Sequence, residues 1–330
     1  MTGMVITMGE ILVDILAEER GKGFREPGRL MGPFPGGAPA TFIAQAARLG
    51  ADAGIISCIG DDDFGWLCVD RLRREGVDVS AVRVDPDQVT ASAFVRYRED
   101  GDRDFLFNLK RSAAGHITID AAAHGMLAQC AHFHIMGTSL FSFHIIDEMK
   151  EAIELAKANG AVISFDPNIR KEMLTIPEMR AGLEFMLGYT DIFMPSGPEI
   201  LLPTEAKSER AAIDDLLGLG IRMIVIKRNR RGVSFRSRTE SFDLPAFRID
   251  EVDPTGAGDC FGAAFVTCLL QGMPTERALT YANAAGALAV SRKGGMEGIA
   301  DFATLDRLIA TASRADAPQG SDTPHDNDHR

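Results

Sequence analysis

The sequence predicts an α/β fold, with helices covering both faces of a mostly parallel central sheet. Two observations carry this. Short runs at 5–9 (VITMG), 54–60 (GIISCIG), 131–137 (AHFHIMG), 161–166 (AVISFD), 191–194 (DIFM) and 222–227 (RMIVIK) are strand-like, several of them near-continuous in Val, Ile and Phe. Such runs suit strands buried on both faces. Between them lie helical patterns, ATFIAQAARLG (40–50), DEMKEAIELAKANG (147–160) and PEMRAGLEFMLG (177–188). Gly50, Gly160 and Gly188 stand where glycine ends helices.

Two segments break the alternation. Residues 10–36 pass from a strand-like EILVDILAEE into a Gly/Pro/Arg-rich stretch. Residues 89–108, VTASAFVRYREDGDRDFLFN, alternate apolar and polar residues around a Glu-Asp-Gly-Asp turn, which predicts a hairpin. Together, over about 10–36 and 89–110, they predict a small β-lid beside the main sheet. The main fold is expected as one domain over 1–312, and the polar tail, 313–330, as disordered.

Composition excludes several function classes. With 45% hydrophobic and 25% charged residues, the chain has ample material for a large core. A net charge of −12 argues against nucleic acid as a partner, the basic KRNRRG at 227–232 being a local exception. No apolar run reaches the roughly 18–20 residues that span a bilayer. The N-terminal MTGMVITMGE reads as a first strand. Five cysteines without CxxC spacing read as buried thiols in a reducing cytoplasm.

The chemistry concentrates in DPTGAGDCFGAAF, residues 253–265. Pro254 and the glycines disfavour helix before about Ala257, and the apolar run after it continues as one. The GAGD turn therefore opens a helix N-terminus, where unpaired N–H groups and the helix dipole favour an anion. Asp259 has two readings on spacing alone: a first-turn acid that complements the dipole, or a general base beside an anion hole. A P-loop is absent, GxGxxG does not occur at 256, and the DFG at 63–65 has no protein-kinase context. Upstream, GPFPGGAPATFIAQAARLGADAGIISCIGDDDFG (32–65) sets a Gly-Gly pair before a helix rich in small residues.

These two glycine motifs, in this order and near opposite ends of the chain, resemble the paired signatures of the ribokinase-like (PfkB) sugar kinases, over about residues 4–310. The resemblance implies a three-layer α/β/α sandwich with a β-lid and a homodimer formed through that lid. It implies ATP and Mg²⁺ as cofactors and a small sugar as substrate. Asp259 would take a proton from the sugar hydroxyl, and the N–H groups of Gly256, Ala257 and Gly258 would stabilise the transferred phosphoryl. Asp14, Gly36, Gly37 and Thr41 match sugar-binding positions, Thr41 standing where many members carry Asn. Asp166-Pro167-Asn168-Ile169-Arg170 resembles the DPNxR of fructokinase-like and 2-keto-3-deoxygluconate kinase-like members, with Arg170 available to an anion. Glu199 is retained from an NxxE motif tied to Mg²⁺, with Ser196 replacing the Asn. Lys227, Asn229 and Gly232 match the nucleotide loop, and Asn283 and Gly286 the adenine pocket. Asp253 and the 291–295 loop match a K⁺ site found in many members.

For the substrate, Leu109 stands where acid-sugar kinases carry Arg, and Asn108 suits neutral hydroxyls; Lys110 and Arg111 could compensate. FREPGRLMGPFPGGAPATF is similar to tagatose-kinase-like members. A ketohexose, tagatose or fructose, is therefore favoured, with 2-keto-3-deoxygluconate as the alternative. A non-catalytic sugar- or nucleotide-binding regulator on the same fold is the alternative of another class.

Overall fold

The computed structural model describes residues 3–99, 103–168 and 177–315. In chain order the strands are β1 (Met4–Met8), β2 (Leu12–Ala17), β3 (Leu30–Gly36), β4 (Ala53–Gly60), β5 (Val82–Asp85), β6 (Ala91–Tyr97), β7 (Arg103–Asn108), β8 (Cys130–Met136), β9 (Val162–Asp166), β10 (Ile192–Phe193), β11 (Met223–Lys227), β12 (Val233–Ser237) and β13 (Ser241–Leu244). The helices are α1 (Ala38–Arg48), α2 (Asp63–Glu75), α3 (Ala121–Leu127), α4 (Phe143–Ala158), α5 (Pro177–Tyr189), α6 (Glu209–Gly218), α7 (Ala257–Leu270), α8 (Thr275–Val290) and α9 (Phe302–Thr311).

Nine strands form one sheet in the order β13-β12-β11-β10-β9-β8-β1-β4-β5. Pairing is parallel from β11 to β5, and β12 and β13 add antiparallel at the far edge. The near-continuous apolar runs follow from this position. Alternate residues of each strand feed two separate cores. Val5, Ile55, Ile59 and Val225 pack under α1, α2, α7 and α8, with Phe42, Leu72, Phe265 and Leu279. Ile6, Ile56, Ile224 and Ile226 pack under α3–α6, with Met126, Ile153, Met186 and Leu216. The fold is ribokinase-like, an α/β structure in three layers.

A second sheet, ordered β3-β2-β6-β7, stands beside the first. Strand β2 runs antiparallel to β3 and parallel to β6, and β6 and β7 are antiparallel. Register sets one face of this sheet: Asp14 lies opposite Phe34 and Ala93, and Ala93 lies opposite Phe107. Further along the same face come Val95 with Phe105, then Tyr97 with Arg103.

Two local expectations are corrected. Gly188 does not end its helix, because α5 runs on through Tyr189. Residues 313–315 are not a free tail: Arg314 bridges Phe247 antiparallel and lies over its ring at 4.3 Å, and Ala315 N–H donates to the Ala246 carbonyl at 2.8 Å. Residues 316–330 lie outside the described residues.

Helix α7 is buried along most of its length, from Asp259 to Cys268. Truncating its fully buried Phe265 opens a cavity that packed neighbours fill only in part. Phe265→Ala is expected to cost about 3–5 kcal/mol of stability, measured by urea unfolding.

Candidate active site

Helix α7 points its N-terminus at the carboxyl ends of the central strands. Gly256 is its cap, with φ of 81°, and a side chain there would strike the Gly295 carbonyl oxygen. Only glycine meets both demands. Asp259 sits in the first turn and is 7% exposed. Burial pushes its carboxyl up to about 8, the Asp166 charge adds to this, and Lys227 opposes it.

The chain ends of β9 and β11 supply Asp166 and Lys227. Lys227 Nζ donates to Asp166 Oδ2 in a buried ion pair. A Cβ at Gly258 would lie 3.3 Å from that Nζ, so the pair rests directly against the turn that precedes Asp259. Below it, Ser164 Oγ lies 2.6 Å from His132 Nε2 and 2.7 Å from His134 Nδ1. Burial pushes His132 down to about 3 and His134 well below its usual value, so both rings are neutral. The His134 ring stacks on Phe42 at 3.8 Å.

Opposite stands the cluster of Asp14, Gly36, Gly37 and Thr41. Asp14 is 5% exposed, a buried acid on its strand. Its Oδ2 lies where a Gly36 side chain would be. Gly37 has φ of 102° and caps α1 in place of any residue whose Cβ would meet the Glu10 carbonyl. The Gly295 loop closes the cluster: its Cβ position is 3.2 Å from Thr41 Oγ1 and 3.7 Å from Asp14 Oδ2.

In the loop after β11, Asn229 adopts φ of 51°, the left-handed geometry its side chain tolerates, and Gly232 φ of 109°. Arg228 is tied up in a bidentate pair with Glu209, which withdraws it from any phosphate. Asn283 Nδ2 donates to the Pro245 carbonyl at 3.3 Å. Gly286 lets α8 approach α7, its Cβ position being 3.3 Å from the Ala257 carbonyl. Glu199 Oε2 accepts from the Ser196 N–H at 2.7 Å, and Ser196 bridges Lys227. Mg²⁺ takes one or two protein carboxylates alongside waters and phosphates, and Glu199 on this loop fits that demand.

Not every expected residue joins the site. Lys110 is exposed on the loop after β7. Asn108 pairs with Ser92, which places it on the lid face opposite Asp14. The reason is the period of two: Phe107 takes the inward position. Arg170 lies outside the described residues. The carboxylate of Asp253 is already engaged by the chain. Its Oδ1 accepts from Thr255 N–H at 3.1 Å and Thr255 Oγ1 at 2.7 Å, and its Oδ2 from Gly294 N–H at 3.0 Å. A guanidinium, Arg103 Nη1, stands 3.9 Å away.

Three features escaped sequence reasoning. Glu10 is fully buried, accepting from Thr138 Oγ1 at 2.9 Å and Ser139 Oγ at 2.6 Å, with its carboxyl pushed up by burial. An acid directly after a strand end was its signal. The Asp166–Lys227 pairing joins residues 61 apart and carries no local signature. Arg103 falls on the inward face of β7 in step with Phe105 and Phe107, a pattern visible in the alternation.

Because the folded-state value of Asp259 lies above the ordinary 3.8, folding favours its protonated form. The stability this lends is complete below the unfolded value and is lost as pH rises towards about 8. Asp259→Asn is therefore expected to gain on wild type between pH 5 and pH 9, read as urea midpoints; an unchanged difference across that range would contradict the raised value.

A sequence profile described as pfkB family carbohydrate kinase matches residues 3–301. Fructokinase-2 of Zea mays is 30% identical over 324 residues, covering 94% of this chain and 95% of the relative. A protein from E. coli described as Ribokinase II, solved with ATP and Mg²⁺, is 50% identical, covering 93% of this chain and 99% of that one, with a TM-score of 0.90. A Xylella fastidiosa fructokinase with bound ATP is 25% identical over 94% of this chain and 99% of its own, with a TM-score of 0.83. No helix among the described residues is long and apolar enough to cross a membrane. The family uses MgATP, and with its profile spanning almost the whole described chain, this protein is a member of the pfkB family of carbohydrate kinases.

Proposed function

We propose that the protein transfers the γ-phosphoryl group of MgATP to a hydroxyl of a ketohexose, fructose or tagatose, with Asp259 as general base. The observation that carries this is the buried Asp259, set at the N-terminus of α7 and within electrostatic reach of Asp14. A sugar lying over Asp14, Gly36, Gly37 and Thr41 would bring a hydroxyl to Asp259. As the hydroxyl oxygen bonds to the γ-phosphorus and the β,γ-bridge bond breaks, the proton passes to the Asp259 carboxylate and the electron pair leaves with ADP. The N–H groups of Gly256, Ala257 and Gly258 meet the charge on the transferred group, with the helix dipole behind them. Lys227, pressed against Gly258, stands beside this turn with its charge paired to Asp166. Glu199 would help to hold Mg²⁺, which would supply further charge neutralisation when bound. Asn229 and Gly232 shape the loop for the nucleotide phosphates, and Asn283 and Gly286 border the base.

Support for a neutral sugar comes from the lid. Leu109 packs against the small apolar group of Leu12, Ala91 and Ala114, so no cation from that position meets a carboxylate. Phe107 offers its ring on the face that carries Asp14. Relatives of about this length at 30% and 29% identity are named fructokinases. The lid also supports a homodimer, because β3 and β7 are its two edges and carry Leu30 and Leu106, 48% and 52% exposed. A cytoplasmic setting agrees with five unpaired buried thiols.

The deciding experiment presents purified protein and MgATP with fructose, tagatose and 2-keto-3-deoxygluconate and follows ADP. Fructose or tagatose is expected to lead; turnover of the keto acid alone would shift the substrate class, and no ADP with any sugar would leave a binding regulator. Asp259→Asn should lower kcat by about 10²–10⁴-fold with ATP binding retained. Leu106→Asp should move the mass in multi-angle light scattering from dimer to monomer.

A further inference from the structure

Asp253 is the most buried carboxylate near the site, at 0% exposure. A buried carboxylate needs a countercharge as well as hydrogen bonds. Its hydrogen bonds come from the chain itself, from Thr255 and Gly294. Among the described residues the cation within ion-pair distance is Arg103, at 3.9 Å. Arg103 belongs to the lid, 150 positions away in sequence. Its Nη1 donates to Thr255 Oγ1 at 2.7 Å, and its guanidinium lies 5.4 Å from the Phe105 ring centroid. It is three-quarters buried at the side chain, beside Tyr97, its register partner in the hairpin. Lys293 caps the other side of that tyrosine, 5.9 Å from the ring centroid. The tyrosine is held neutral by burial and by the Asp253 charge.

We propose that Arg103 supplies, from the lid, the positive charge at Asp253 that a monovalent cation would otherwise supply, so that this enzyme works without K⁺. Two cations cannot share this carboxylate without facing each other across a few ångströms in a poorly hydrated site. A guanidinium carried by the chain removes the need for the ion. It also fixes the lid to the residue that precedes Gly256, so the countercharge arrives only when β7 is docked. The charge is thereby tied to a conformation in place of a salt concentration.

The test uses the full chain exchanged into tetramethylammonium chloride, a cation too bulky for the site, and titrated with KCl at constant ionic strength. Thermal unfolding is read without substrates, and turnover is read with MgATP and the preferred sugar. The turnover arm rests on the carbohydrate-kinase reading, and the thermal arm does not, so failure of one is distinguishable from failure of the other. Wild type is expected to show neither a rise in Tm nor more than a marginal change in kcat with K⁺. Arg103→Met should lose activity in tetramethylammonium and recover about 5-fold or more on adding K⁺, with a K⁺-dependent rise in Tm. Arg103→Gln, closer in polarity, is read in the same way should the Met variant not fold. A wild-type enzyme activated about 5-fold or more by K⁺ would overturn the proposal, as would folded variants that remain indifferent to the ion.

Discussion

Everything at the site is arranged around an electrostatic imbalance. Glu10, Asp14, Asp166 and Asp259 are all buried and lie close enough for the first three to raise the fourth. One lysine, Lys227, stands among them, and Asp166 claims it. A low dielectric makes such crowding costly for whichever carboxylate is least compensated. That residue is Asp259, in the first turn of α7. The helix dipole and the lysine moderate the strain without cancelling it. In the base role proposed for it, a carboxyl held near neutrality would accept a proton and release it again more readily than one of ordinary acidity.

This imbalance dictates packing. Helix α7 can hold a fixed orientation only because it is sunk in the apolar core along Cys260–Cys268. The small residues around its start are demanded by proximity. Gly258 leaves room for the Lys227 ammonium, Gly256 for the 295 carbonyl, and Gly286 for the Ala257 carbonyl. Each glycine marks a place where another part of the chain presses against the turn.

Much of this was legible in the sequence, for identifiable reasons. The strands of the parallel sheet announced themselves because both faces are buried, and α7 begins at Ala257, where Pro254 and the glycines had placed its start. Asp14 and Thr41 were found through motif, and they meet around Gly295. Asn108 was chosen by matching the segment to a family run, which carries no information about faces; in register with Ser92 and Val13 it falls on the side of the lid away from Asp14. Gly188 was read as a stop because glycine usually is one, yet α5 continues through it. Glu10, the Asp166–Lys227 pair and Arg103 were missed because their partners lie far away in sequence: Thr138 and Ser139 for Glu10, residues 61 apart for the pair, and Asp253 and Thr255 for Arg103.

The connection from β1 to β2 has a mechanical meaning. Only Gly9, Glu10 and Ile11 separate the central sheet from the lid. Glu10 is clamped by Thr138 and Ser139, and Gly9 leaves no room for a side chain beside Ser139 and Pro39. The root of the lid is therefore bolted to the floor of the active site. Strand β2, with Asp14 on it, behaves as the fixed jaw of a vice. The hairpin of β6 and β7 is laddered to that jaw along Leu12–Leu16, and its far end reaches back to Thr255, so one continuous sheet ties Asp14 to the turn before α7.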